Sequence, residues 1–161
     1  MLRDELQTRL KGKVLVVGIG NSLRGDDAFG PEVIERLTGK VTAHLVDVGE
    51  VPESYLGRLI EPNPETILLL DAANIGEVPG TAAVLEIEDL GGRDVSTHQM
   101  PLQLFFSFVR NSTHADIFML AVQPKLLSLG SPMSPEVEST TGILSEILID
   151  LLSKAPEPLP A

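Results

Sequence analysis

Acidic side chains follow three apolar stretches of this sequence, and one histidine lies further along. Asp26 and Asp27 stand side by side in a glycine-rich stretch after the first apolar run, and Asp47 and Asp71 directly follow the second and third. His98 precedes a predicted helix, a position that keeps imidazole neutral and able to bind a metal ion. Because the chain has no cysteine, carboxylates and imidazole would suit a divalent first-row metal.

Each of these residues also has a simpler structural explanation. A single aspartate can cap a helix or bind a loop, and His98 can hydrogen-bond a helix end. His44, within a predicted strand, and His114, in a predicted turn, are interpreted as surface or structural residues. Parallel strands, however, bring their carboxyl ends to one edge of an α/β sheet, where sites form. Three acid-bearing strand ends therefore favour a site at that edge.

The glycine-rich stretch does not have the spacing of a nucleotide-binding loop. A GxGxxG fingerprint that starts at Gly18 would need its third glycine at Leu23. A phosphate-binding P-loop would need Lys and Ser or Thr at the positions of Asp26 and Asp27, whose charges repel a phosphate. A nucleotide-binding α/β protein is therefore the weakest of the functions considered.

Hydrophobic patterns place the secondary structure. Leu2, Leu6 and Leu10 indicate a short amphipathic N-terminal helix, and Pro31 is placed at the first position of the next helix, which Gly39 ends. The predicted strands cover residues 13–18, 41–46, 66–70, 81–87 and 115–122. The remaining predicted helices cover residues 31–38, 52–60, 102–109 and 136–153.

This alternation predicts an α/β fold of three layers, a twisted and mostly parallel five-stranded sheet with helices on both faces. The strand at 81–87 is expected to be an antiparallel edge strand, because too few residues precede it for a crossover helix. We expect a single domain over residues 1–154 and a flexible, proline-rich tail over residues 155–161.

The composition of the chain limits the kinds of partner that it can bind. The 161 residues carry a formal net charge of −11, which argues against nucleic acid and anionic membranes. No apolar run approaches the ~20 residues of a membrane span, and the N-terminus has no signal-peptide pattern. With no cysteine for disulfides, we expect a cytoplasmic protein, and we expect a monomer.

Four segments fall in the order and spacing of one protein family. They are GNSLRGDDAFGP at 20–31, DAANIG at 71–76, STHQMPL at 96–102 and VQP at 122–124. Together they make residues 13–153 resemble the nickel–iron hydrogenase maturation endopeptidases. The chain is most similar to the branch that processes the large subunit of the hydrogenase-3, or formate hydrogenlyase, type.

The resemblance implies an endopeptidase that removes a C-terminal extension from a hydrogenase large-subunit precursor after nickel insertion. It implies that nickel, carried by the precursor, is recognised by two acids and a histidine. By motif these catalytic and metal-binding residues are Asp27, Asp71 and His98, with Asp26 shaping the loop. Asp47 matches an aspartate that family members place before two glycines, although Val-Gly-Glu follows it here. The family is classified among aspartic-type peptidases.

The residues themselves support a substrate-assisted scheme in which Asp27, Asp71 and His98 meet at one open cleft and dock the precursor's nickel. Docking of this kind can contribute ~7–11 kcal/mol to a rate. Water, activated by a carboxylate or by the metal, would then attack the peptide. A proton-sharing pair of Asp27 and Asp71 is an alternative that predicts one raised pKa. A second alternative is a checkpoint protein that binds nickel or precursor without cutting.

Overall fold

The computed structural model describes residues 1–92 and 101–153, and within these ranges the chain forms five strands and five α-helices. The strands are β1 (Val14–Ile19), β2 (His44–Gly49), β3 (Thr66–Ala72), β4 (Ala82–Glu86) and β5 (Asp116–Val122). The α-helices are α1 (Leu2–Arg9), α2 (Phe29–Leu37), α3 (Leu56–Ile60), α4 (Leu102–Thr113) and α5 (Pro135–Leu152). No helix within these ranges combines the length and apolarity needed to cross a bilayer. The tail predicted over residues 155–161 lies outside the described ranges.

The strands form one mixed sheet in the order β2-β1-β3-β5-β4. Four of them are parallel, and β4 pairs antiparallel with β5 at the edge. The chain between β3 and β4 is too short for a crossover helix, so β4 returns in the opposite direction. The predicted fold class, including its antiparallel edge strand, is therefore confirmed.

Both faces of the sheet are covered by helices. Along β3, Leu68 and Leu70 point to the face that holds α1, α2 and α5. Ile67 and Leu69 point to the face that holds α3 and α4. Because β3 is central and packed on both sides, all of its residues are buried. Two apolar cores, one on each face, thus fix the position of the carboxyl edge of the sheet.

The second helix begins earlier than the sequence predicted. A 3₁₀ turn, Gly25–Ala28, leads directly into α2, which starts at Phe29, so Pro31 is its third residue and not its first. Proline is tolerated there because the first four N–H groups of a helix have no partner within it. Gly39 follows the end of α2 with a φ of 80°, as the predicted C-terminal cap requires.

Strand β2 ends later than predicted. It runs from His44 through Asp47 to Gly49, so the predicted end at Asp47 is wrong. Val46 and Val48 are both buried on the α3–α4 face, and the burial of Val48 keeps the chain in the strand beyond Asp47. Helix α4 likewise continues to Thr113, four residues beyond its predicted end.

Helix α1 is fastened to the amino edge of the sheet by one arginine. The Arg9 guanidinium donates two hydrogen bonds to Glu86 on β4 and two to Asp116 on β5, at 2.8–3.0 Å. It also lies over the ring of Phe118, 4.1 Å from the centroid. Leu6 is fully buried in the α1–α2–α5 core, so this helix covers an apolar patch.

Gly30 allows α2 to approach the sheet closely. A Cβ atom at this position would lie 2.4 Å from the carbonyl oxygen of Ile19 and 2.5 Å from that of Leu70. Both contacts are with backbone at the carboxyl ends of β1 and β3, so neither can yield easily. The absence of a side chain at Gly30 therefore sets the distance between α2 and the edge where the acids lie.

We expect Gly30→Ala to destabilise the fold by about 3 kcal/mol, because the new methyl group forces two central strands and a helix apart. Gly57→Ala is the matched control, since its Cβ would meet only the flexible Glu61 side chain at 3.8 Å. That control should be neutral or up to about 1 kcal/mol more stable. Urea unfolding of both variants measures the difference, and equal stabilities would contradict the packing argument.

Candidate functional site

The loop after β1 holds Asp27 at the carboxyl edge of the sheet. The Asn21 N–H donates to Oδ2 of Asp27 at 2.8 Å, and the Asp27 N–H donates to the carbonyl of Arg24 at 3.0 Å. Gly20 has a φ of 138°, and a Cβ there would lie 2.0 Å from the Asp27 carbonyl oxygen. Glycine thus lets the loop close on itself, which leaves the Asp27 side chain half-buried in a fixed position.

Asp26, one residue earlier, is fully buried and joins two distant loops. Its Oδ2 accepts hydrogen bonds from the N–H groups of Lys125 and Leu126 and from the Ser134 hydroxyl, at 2.8–2.9 Å. Its Oδ1 accepts from the Ser134 N–H at 2.6 Å. These contacts confirm that Asp26 shapes the loop, because its carboxylate is fully occupied by partners within the protein.

Asp71 has the opposite environment. It lies near the end of β3 with 1% of its surface exposed, and neither carboxyl oxygen has a hydrogen-bond partner among the described residues. Burial raises the pKa of Asp71 well above its ordinary value, and the charges of Asp27 and Glu50 raise that pKa further. The nearby Ala72 N–H, too poorly placed for a regular hydrogen bond, offsets this rise only in part. The Asp71 side chain is therefore shielded from solvent, and it caps no helix among the described residues.

Asp47 does not join this group of acids. Its neighbours Val46 and Val48 belong to the α3–α4 face, so Asp47 points to the opposite face, that of α2. There it lines a groove of about 380 Å³ with Glu32 and Glu35, and its Oδ1 accepts from the Gly49 N–H at 2.9 Å. Side chains alternate along β3, so Asp71 points to the same face as Ile67 and Leu69, that of α3 and α4. Asp47 and Asp71 therefore point to opposite faces, and a convergence of these two side chains is wrong.

Glu50, rather than Asp47, is the acid at the end of β2 that lies near enough to influence Asp71. It directly follows β2, and its charge acts on the pKa of Asp71. Sequence reasoning missed it because the strand was ended three residues too early. If Val48 is counted with Val46 as a valine buried on the α3–α4 face, the predicted strand ends later. Glu50 is then the acid that follows it.

Gln123 is a second residue whose role the sequence did not predict. Its Oε1 accepts hydrogen bonds from the N–H groups of Ile75 at 2.7 Å and Glu77 at 3.3 Å. The residue follows β5, whereas both donors lie in the loop after β3. Gln123 therefore holds the loop that follows Asp71 against the neighbouring strand.

The three histidines differ in what the structure describes. His98 lies outside the described residues, so its predicted role stays a prediction. His44 is exposed on β2, and His114 is an exposed residue that follows the end of α4 with a φ of 61°, so both lie at the surface. Helix α4, the first described element after His98, packs on the face to which Asp71 points. Within residues 1–92 and 101–153, no three acids or histidines are placed to hold a metal ion.

The arrangement of Asp27 and Asp71 is compatible both with metal binding and with a proton-sharing pair of the aspartic type. One raised pKa beside a second carboxylate is what a proton-sharing pair predicts. Burial is the larger cause of the Asp71 shift, and burial alone gives the same direction. A buried carboxyl without hydrogen bonds can also accept a cation, which would favour its charged form.

Comparisons with known proteins agree on one family. A family model described as HycI, hydrogenase maturation protease, matches residues 31–150. A Methanocaldococcus jannaschii protein, provisionally named a hydrogenase maturation protease, is 28% identical over 165 residues, 95% of this chain and 97% of its own. The hydrogenase 3 maturation protease of Escherichia coli K12 is 26% identical over 123 residues, 74% of this chain and 78% of its own. The crystal structure of a NiFe hydrogenase maturation protease HycI from Thermococcus kodakarensis KOD1 has a TM-score of 0.86 at 31% identity, covering 93% of this chain and 99% of that one.

We expect Asp26→Ala to lower the free energy of unfolding by about 3 kcal/mol or more. The substitution leaves the two buried Ser134 donors and the part-buried N–H groups of Lys125 and Leu126 without their acceptor. A buried unpaired donor costs about 1–3 kcal/mol. Asp47→Ala is the control, because that exposed carboxylate accepts one short-range hydrogen bond, and it should cost less than about 1 kcal/mol. Urea unfolding measures both, and a small loss for Asp26→Ala would contradict its role in joining the loops.

Asp71→Asn should be more stable than the wild type at pH 8, with the difference shrinking toward pH 4. Folded Asp71 keeps its proton at pH values where an unfolded aspartate has lost it, so the wild type loses stability as pH rises through this interval. The loss is at most about 1.4 kcal/mol per pH unit and stays constant above the raised pKa. Urea unfolding from pH 4 to 8 tests this, with exposed Asp4→Asn as the control. A pH-independent difference would refute it.

Proposed function

Because this chain belongs to the hydrogenase maturation protease family, we propose that it removes the C-terminal extension of a nickel–iron hydrogenase large-subunit precursor after nickel has been inserted. The proposed cut is a hydrolysis. Water adds to the peptide carbonyl, the C–N bond breaks, and the new amine takes up a proton. The precursor is the partner and carries the nickel, so the metal enters as part of the substrate.

The carboxyl of Asp71 is the observation that carries this proposal. A carboxyl that is buried without a hydrogen-bond partner among the described residues is costly unless something else satisfies it. Asp27 lies close enough for its charge to raise the pKa of Asp71, so the pair favours an arriving cation over an anion. Because both oxygens of Asp71 are shielded, the proposal requires them to become accessible when the precursor docks.

Asp27, Asp71 and His98 together would complete the coordination of the precursor's nickel. Carboxylate oxygen and imidazole nitrogen are suitable ligands for a divalent first-row metal. The two aspartates alone are too few, in agreement with the lack of a three-residue metal group in the described ranges. Dependence on nickel follows, since an empty precursor offers these side chains nothing to bind. The attacking water would be activated by a carboxylate or by the metal.

We place the processing in the cytoplasm, where a chain free of cysteine loses nothing to the reducing conditions. We further propose that the protein is a monomer that meets its precursor transiently. The net charge of −11 supports this, because copies of the chain repel one another.

We expect Asp27→Asn, Asp71→Asn and His98→Ala each to reduce processing at least 100-fold, while their unfolding transitions remain cooperative. Each substitution removes one ligand of the precursor's nickel. The measurement is the mass of nickel-loaded precursor after incubation, followed over time. Asp4→Asn and His44→Ala, which change exposed residues of the same types, should process at the wild-type rate.

The same assay separates the alternatives. Loss of mass equal to a C-terminal extension supports the endopeptidase, whereas binding of nickel-loaded precursor with no change of mass indicates a checkpoint protein. Wild-type processing by His98→Ala would remove the histidine from the proposed site. Equal cutting of nickel-free precursor would overturn recognition of the metal.

A further inference from the structure

Two loops at the carboxyl edge of the sheet present leucines to solvent. We call these residues the leucine rim: Leu23, Leu126, Leu127 and Leu129, which are 66%, 38%, 49% and 66% exposed. Leu23 precedes the turn that carries Asp27, and the other three lie between β5 and α5. Single exposed leucines are ordinary, but a cluster on two adjoining loops beside a candidate site marks an interaction surface.

The leucine rim is held in place by backbone hydrogen bonds between its two loops. The Gly130 N–H donates to the Leu23 carbonyl at 2.7 Å, and the Asp26 N–H donates to the Leu126 carbonyl at 2.7 Å. The Asp26 carboxylate accepts the Leu126 N–H in return, at 2.9 Å. These bonds join the rim to the residue that directly precedes Asp27, so anything bound to the rim lies next to the candidate site.

Size and charge indicate what binds there. Four leucines at these exposures offer a few hundred Å², less than the about 800 Å² that each partner buries in a stable complex. A second copy is disfavoured because both copies carry a charge of −11. A short, extended and apolar segment that lacks acidic side chains fits both the small area and the acidic protein.

We propose that the leucine rim binds an apolar, non-acidic segment of the hydrogenase precursor beside the peptide bond to be cut. This inference rests on the proposed function and adds a second point of contact, separate from the nickel. Contact at the metal alone fixes one position, whereas a second contact along the chain also fixes the direction of the peptide. The rim would therefore determine how well the precursor binds and would leave the chemical step unchanged.

The test is the double variant Leu23→Ser with Leu129→Ser, compared with the wild type on nickel-loaded precursor. We expect KM to rise at least tenfold with kcat within twofold, and the affinity for the precursor to fall by a similar factor. Ile143→Ser, which changes a 59% exposed side chain in the middle of α5, is the control and should leave both constants unchanged. Leu127→Ser provides an independent rim variant if the double variant unfolds.

An unchanged KM in either rim variant would overturn the inference while leaving the proposed function intact. If the wild type binds the precursor without cutting it, and the rim variants weaken that binding, the proposed cut fails but the rim stands. If light scattering finds a wild-type dimer that becomes monomeric in the double variant, the occupant is a second copy, and the inference is wrong.

Discussion

The buried carboxylate of Asp26 is the interaction on which the carboxyl edge of this protein depends. It gathers donors from residues about a hundred positions later in the chain, two of them main-chain N–H groups of one loop and two belonging to Ser134. A buried charge is tolerated only when it is fully hydrogen-bonded, so these contacts are obligatory. Asp27 is the next residue, and its position follows from that constraint.

The carboxyl groups of Asp26 and Asp71 differ in function because they differ in hydrogen-bond partners. Asp26 is satisfied within the protein and is committed to holding loops together. Asp71 is equally buried, yet no described residue hydrogen-bonds its oxygens, and its pKa is raised. Both side chains are buried, so what separates them is the supply of hydrogen-bond donors. An acid left in this condition is available for a proton or a cation from outside.

Much of the fold was predictable because the apolar runs of the strands are short and alternate with helical patterns. The antiparallel direction of β4 followed from the shortness of the connection between β3 and β4. The ends of elements were less predictable, since they depend on packing: Val48 extends β2 past Asp47, and a 3₁₀ turn starts α2 before Pro31.

The site was predictable only in part, for the same reason. The sequence pointed to Asp27 and Asp71 at the right edge, but the face to which each strand residue points requires the register. Asp47 was therefore grouped with Asp71 although it points to the other face, and Glu50 was missed. Nor could the sequence reveal that Asp71 is shielded from solvent, because burial of one carboxyl depends on how the folded chain packs around it.

The Arg9 contacts with β4 and β5 have a consequence for how a large protein can approach. They fasten α1 at the amino edge of the sheet, and an ion pair between Arg3 and Asp150 brings the end of α5 to the same region. The first helix is therefore anchored at the pole of the molecule opposite Asp27. A folded protein can approach the carboxyl edge of the sheet without meeting α1, and a surface or label attached through the amino terminus would leave that approach unobstructed.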